Sequence, residues 1–152
     1  NENLETAFAE PTNLQARANM MAAAMMGAVA FQKGLGAVHA LSHPIGAIYG
    51  THHGTTNAVL IPAVLQLNRS AIEATIERVA SYLALDGGFD GFCARVEALN
   101  TALGIPKTLT ELGLDQPDIE QIIRGALIDP SCGGNPIELT ADNLRRVLTA
   151  SL

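Results

Sequence analysis

The chain has no tryptophan, only two cysteines among its 152 residues, and charge on only 16% of them. Each shortage excludes something. Nine Lys and Arg, scattered along a chain of net charge −6, make no basic stripe, so neither nucleic acid nor an acidic membrane surface is an expected partner. Cys93 and Cys132 lie far apart and lack metal-ligand spacing, which fits two inert thiols in a reducing, cytoplasmic compartment. The apolar run Met20 to Phe31 falls short of the roughly 20 residues that a bilayer span requires. Glu2, Glu5 and Glu10 ahead of it do not make the basic start of an export signal. With 48% hydrophobic residues and so little charge, the chain reads as one compact globular domain whose surface another domain or subunit covers.

A more local absence matters most. Between Glu10 and Glu73 there is no Asp or Glu at all, and all four histidines, His39, His43, His52 and His53, fall inside that gap.

The pattern of the remaining residues predicts helices throughout. Alanine and methionine over Asn13 to Phe31 are strong helix formers, with Thr12 or Asn13 as cap. Being apolar nearly all round, that helix is expected to be buried. Gly34 and Gly36 break it before a short helix carrying His39 and His43, with Pro44 in an early turn or at a kink. "YGTHHGTT" reads as a loop, and "TTNAVLIPAVLQLNR" as a helix kinked at Pro62.

Ser70 is the expected N-cap of a separate helix whose Ile72, Ile76, Val79 and Leu83 recur at helical spacing, ended by Asp86 to Gly88. A further helix runs from about Asp90 to Leu103 and stops at Gly104 and Pro106. Asp115, with Pro117 in the first turn, is the expected start of the next, and Thr140 caps the last. "PSCGGNP" is a loop without assigned chemistry. "GLG" at Gly34 to Gly36 is no dinucleotide fingerprint, because no strand precedes it and the third glycine is missing; close helix approach is its expected use. No stretch alternates with period two for long enough to make a strand, so the fold class is an all-α bundle. The chain opens at Asn1 in what reads as a helix tail without an initiator Met, as a piece of a longer protein would.

His39 and His43 stand four apart and stack on one helix face, and His53 arrives ten residues later. That is metal-like spacing for imidazole, which suits Zn²⁺ and Fe²⁺. The alternative for any single His is a core residue with its ring nitrogens satisfied, but four within fifteen positions, amid Gly, Ala, Leu and Ile, favour a site. Because the segment holds no acid, a carboxylate ligand would have to come from later in the chain or from protein outside it.

"GLGAVHALSHPIGAIYGTHHGTTNAVLIP" resembles the signature of the iron-containing (group III) alcohol dehydrogenases, and the likeness continues through "GIPKTLTELG" and "DPSCGGNPIELTADNLRRVL" over nearly the whole chain. The resemblance implies the C-terminal all-helical domain of a two-domain enzyme, residues 1–152, whose missing N-terminal α/β domain binds NAD or NADP. It implies a metal, Fe²⁺ or Zn²⁺, held by one Asp and one His from upstream of this region and by two later histidines, which His39 and His53 match. His43 matches a histidine beside the nicotinamide, assigned to proton relay or cofactor contact. Phe31 matches an aromatic position that lines the substrate pocket, plain core packing being the alternative.

His52 stands where many members have Pro and reads as a loop residue near the site, and Lys33 reads as solvated. The implied activity is hydride transfer between a small alcohol and NAD(P), with the alcohol oxygen on the metal, in a homo-oligomer of at least two chains. The fragment alone is expected to be inactive. Zinc-dependent glycerol dehydrogenase and dehydroquinate synthase share the architecture and resemble the His-rich segment less. A different class is a stand-alone helical metal-binding or association module without redox activity.

Overall fold

A computed structural model describes residues 3–152. The described residues form seven α-helices and no strand: α1 (Leu4–Ala9), α2 (Leu14–Ala30), α3 (Ala37–Tyr49), α4 (His53–Tyr82), α5 (Gly88–Ala102), α6 (Ile119–Ile128) and α7 (Ala141–Ser151). The all-α class is as the sequence predicts. Of the expected opening helix tail, Asn1 and Glu2 lie outside the described residues. The chain divides into two compact units, Asn1–Gly34 and Leu35–Leu152. No single helix among the described residues is long and apolar enough to cross a membrane.

In the first unit Asn13 caps α2, its side chain accepting from the Ala16 N–H at 3.1 Å, as expected of Asn at that position. The expected burial of this helix is not found. Ala16 alone is buried, while Met21, Met25, Met26 and Val29 are exposed. Alanine and methionine favour a helix whether or not anything covers it, and among the described residues the only other α-helix in this unit is the six-residue α1. Phe31 opens a 3-10 turn over Phe31–Lys33.

The core lies in the second unit, where α3, α4, α6 and α7 bring together Leu41, Ile45, Leu60, Ile122, Ile123, Leu144 and Leu148, all essentially inaccessible. In α3 the buried apolar residues Ala37, Ala40, Leu41, Pro44 and Ile45 follow a helical repeat and form one face, and Ser42 is buried as well. His39 and His43 alternate with them, which turns both rings away from the core. The helix starts without a side-chain cap of its own. Its first N–H, on Ala37, is satisfied by Asn135 Oδ1 at 3.1 Å from 98 residues further on. Gly36 permits that approach, because a Cβ there would lie 2.8 Å from the same oxygen, so the close contact expected of "GLG" is made to a loop.

α4 corrects two expectations. The loop before it is only Gly50 to Thr51, and His52 caps the helix, accepting from the Thr55 N–H at 3.3 Å. The helix then runs unbroken for 30 residues through both Pro62 and Ser70, so Ser70 is an interior residue and caps nothing. No Gly or Pro stands between Pro62 and Ser81 to end the helix, and a serine signals a start only where a break precedes it. Pro62 removes the N–H that would reach the Ala58 carbonyl, and Asn100 Nδ2 on α5 takes its place at 2.9 Å.

α6 starts later than expected. Its N-cap is Asp118, accepting from the Gln121 N–H at 2.9 Å, and Pro117 precedes the cap. The sequence offers two Asp residues around one Pro. Tyr49 Oη accepts the Asp118 N–H at 2.8 Å, a tertiary contact that favours the second. The loop "PSCGGNP" contains a 3-10 turn, Pro130–Gly134. Thr140 caps α7 as predicted, in a capping box with Asn143.

Candidate functional site

Three of the four histidines meet on one surface of the second unit. Helical spacing sets His39 beside His43, with ring centroids 5.7 Å apart. Gly50 takes the left-handed conformation, with φ of 68°, and reverses the chain so that His53, the first residue of α4, comes back over them. Thr56 Oγ1 locks the reversal by donating to Thr51 Oγ1 at 2.8 Å. His53 ends 5.3 Å from His39 and 5.4 Å from His43, stacked on the latter within 15°.

Asn57, one turn into α4, sits against two of the rings. Its Nδ2 lies 3.1 Å from His53 Nε2 and 3.4 Å from His39 Nε2. An amide nitrogen only donates, so both Nε2 atoms act as acceptors and the ring protons rest on Nδ1. For His53 this agrees with Ser42 Oγ, 3.4 Å from Nδ1. Asn57 Oδ1 is buried without a hydrogen-bond partner among the described residues. Two imidazole lone pairs therefore face one point beside an unsatisfied amide oxygen. Burial, followed by the neighbouring His53 and His43, holds the His39 imidazole below its ordinary value and favours the neutral ring that can donate a lone pair.

His43 faces a different partner. Its Nδ1 lies 2.8 Å from Asp129 Oδ2, a residue 86 positions later at the end of α6. The other carboxylate oxygen, Oδ1, accepts the Ser131 N–H at 2.8 Å. Burial works against the charge on Asp129, but the Ser131 N–H and the His43 ring outweigh it and hold the carboxyl below the usual carboxylate range. Between Glu10 and Glu73 there is no acid, yet a later one reaches His43.

Sequence spacing gathered His39, His43 and His53 correctly. His52 is a helix cap bonded to Thr55, and Phe31 belongs to the first unit with its side chain half exposed. Lys33 is exposed, as expected. Spacing missed Asn57 and Asp129. Asn57 carries a readable signal, standing four residues after His53 on one helix face, whereas nothing local marks Asp129. Among the described residues, no group of three or more His, Cys, Asp or Glu side chains is placed to hold a metal ion. A cavity of about 380 Å³ between Pro62, Glu97, Thr101, Pro106 and Ser151 contains none of the histidines.

Three imidazoles thus gather on the outward side of a helical bundle, with the Nε2 atoms of His39 and His53 both against Asn57. The family model described as "Fe-containing alcohol dehydrogenase family, C-terminal" matches residues 1–152, and the chain belongs to that family. It is 39% identical over 158 aligned positions to 4-hydroxybutyrate dehydrogenase of Cupriavidus necator, covering 98% of this chain and 41% of that protein. NAD-dependent methanol dehydrogenase of Bacillus methanolicus is 31% identical, with 100% of this chain and 42% of that protein covered. A crystal structure of 1,3-propanediol oxidoreductase superposes with a TM-score of 0.93 at 30% identity, over 99% of this chain and 41% of that one. The chain thus spans about two-fifths of the length of these relatives.

Proposed function

We propose that this chain is the C-terminal helical part of an NAD(P)-dependent alcohol dehydrogenase acting on a small alcohol or the corresponding aldehyde. The observation that carries the metal reading is that His39 Nε2 and His53 Nε2 share one neighbour, Asn57 Nδ2. The donor set fits part of a metal site, for two neutral nitrogen ligands suit Zn²⁺ or Fe²⁺ but fill only half of a four-ligand shell. The remaining Asp and His would come from an N-terminal α/β domain that also binds NAD or NADP, which accords with exposed rings that await a covering surface. When bound, such an ion supplies Lewis-acid polarisation and the nicotinamide accepts the hydride.

The chain's own residues then have distinct tasks. His39 and His53 hold the ion, and His43 receives the hydroxyl proton or contacts the cofactor. NAD has support from the methanol-oxidising relative, and a cytoplasmic location from two unpaired cysteines. The low charge supports at least a dimer.

Elemental analysis of the full-length protein, together with NAD(P)-linked alcohol oxidation, tests this reading. Bound iron or zinc near one ion per chain is expected, with both metal and activity lost in His53→Ala, and no turnover from residues 1–152 alone. An active full-length enzyme that neither holds metal nor responds to His53→Ala would overturn it.

A further inference from the structure

Two glycines bring a carboxylate to His43. Gly125 on α6 lies against Pro44, the residue after His43, so closely that a Cβ would come within 2.7 Å of the proline ring. Gly134, at the end of the 3-10 turn, meets the Leu35 backbone just ahead of α3, where a Cβ would clash with the carbonyl oxygen. Asp129 stands between these two contacts, at the junction of α6 and the turn. Its own backbone is fixed there, since Oδ1 caps the turn through the Ser131 N–H. The Oδ2 atom meets His43 Nδ1 at 2.8 Å, and the Ser131 side chain also hydrogen-bonds the carboxylate.

The chemistry of the pair is asymmetric. A carboxylate can only accept, so the hydrogen bond requires the proton of the neutral ring to sit on Nδ1. Nε2 then carries the lone pair. The Asp129 side chain is 13% exposed and that of His43 41%, so the carboxylate is sheltered while the ring remains open to a reactant. Asp129 makes no bond among the described residues to either of the histidines whose Nε2 atoms meet at Asn57.

We propose that Asp129 is the positioning residue for His43, fixing its ring and its tautomer so that Nε2 is presented as the proton acceptor in alcohol oxidation. The inference rests on the dehydrogenase reading above. In the oxidation the alcohol O–H bond would break with its proton forming an N–H bond at His43 Nε2, and an oxidised nicotinamide, when bound, would supply the hydride acceptor for the carbon. The resulting imidazolium keeps its Nδ1–H on Asp129, whose negative charge offsets it, and then releases the Nε2 proton to water. The reverse sequence protonates the product of aldehyde reduction.

Asp129→Asn separates this role from a structural one. The amide oxygen can still accept the Ser131 N–H, so the turn keeps its cap. The amide nitrogen then faces His43 Nδ1 and donates to it, which reverses the tautomer and places the ring proton on Nε2.

Long-range ¹⁵N–¹H spectra of histidine-labelled, metal-free full-length protein report the tautomer, with the His43 signals identified through His43→Gln. Nδ1–H is expected in the wild type and Nε2–H in Asp129→Asn. In the metal-loaded enzyme kcat should fall by about 10²-fold or more, within the range for loss of a general base, with KM for the alcohol changed less than about threefold. A wild-type ring protonated on Nε2, or a variant whose tautomer reverses while kcat holds, would overturn the proposal. A wild-type enzyme without NAD(P)-linked alcohol activity would overturn the parent reading instead, a failure visible before any variant is made.

Discussion

Cys93, on the side of α5 that faces Gln66 of α4, is 7% exposed, and burial, followed by Asp90 and Glu97, pushes its thiol above the ordinary value. The thiolate is the reactive form, so native protein at neutral pH should alkylate at Cys93 far more slowly than after unfolding in denaturant. Peptide mass spectrometry with iodoacetamide reads the difference. Equal labelling rates in the two states would mean that α5 opens readily from α4. At this same scale the histidine cluster was legible, because His39 and His43 obey a helical interval and Gly50 marks the reversal that returns His53. Asp129 was not. A contact between residues 86 apart leaves no periodic trace, and "DPS" looks like any turn start until α6 is packed against α3. The absence of acids around the histidines was real in sequence and misleading in space.

Elements were easier to predict as present than to delimit. Helix existence follows from apolar spacing and composition, and every expected helical stretch is helical, although the two expected on either side of Ser70 are one helix. Boundaries failed where two signals competed. At Pro117 the choice between Asp115 and Asp118 fell to the Tyr49 hydroxyl, and along α4 a serine resembled a start signal in the absence of any stop.

The continuity of α4 has an energetic signature. If Ser70 were an N-cap, replacing it with Ala would cost about 1 kcal/mol. As an exposed interior residue it should instead gain roughly 0.5 kcal/mol, the difference in helix propensity between the two. Urea unfolding of Ser70→Ala distinguishes these by sign. A lower midpoint would return the boundary to Ser70.

For the molecule as a whole, the core explains where the site can be. The four helices that share it present one face inward, and the histidines occupy the outward face of α3 and the first turn of α4. The position of Asp129 depends on how closely α6 approaches α3, and that distance is set where Gly125 meets Pro44. Gly125→Ala brings two opposing effects. Ala in place of an interior helical Gly gains about 1 kcal/mol. Inserting a methyl into a close-packed contact costs typically about 1 to 3 kcal/mol.

The contact here is with a proline ring carbon, which cannot rotate aside, so the cost should win and the variant should lose roughly 1 kcal/mol in denaturant unfolding. The same displacement should lengthen the His43–Asp129 hydrogen bond, one turn further along α6. The variant is therefore expected to weaken the Nδ1–H preference of His43 in the ¹⁵N–¹H spectrum without touching either residue. A stabilised Gly125→Ala with an unchanged His43 spectrum would show that α3 and α6 separate freely, and that the two glycines do not set the geometry of the pair.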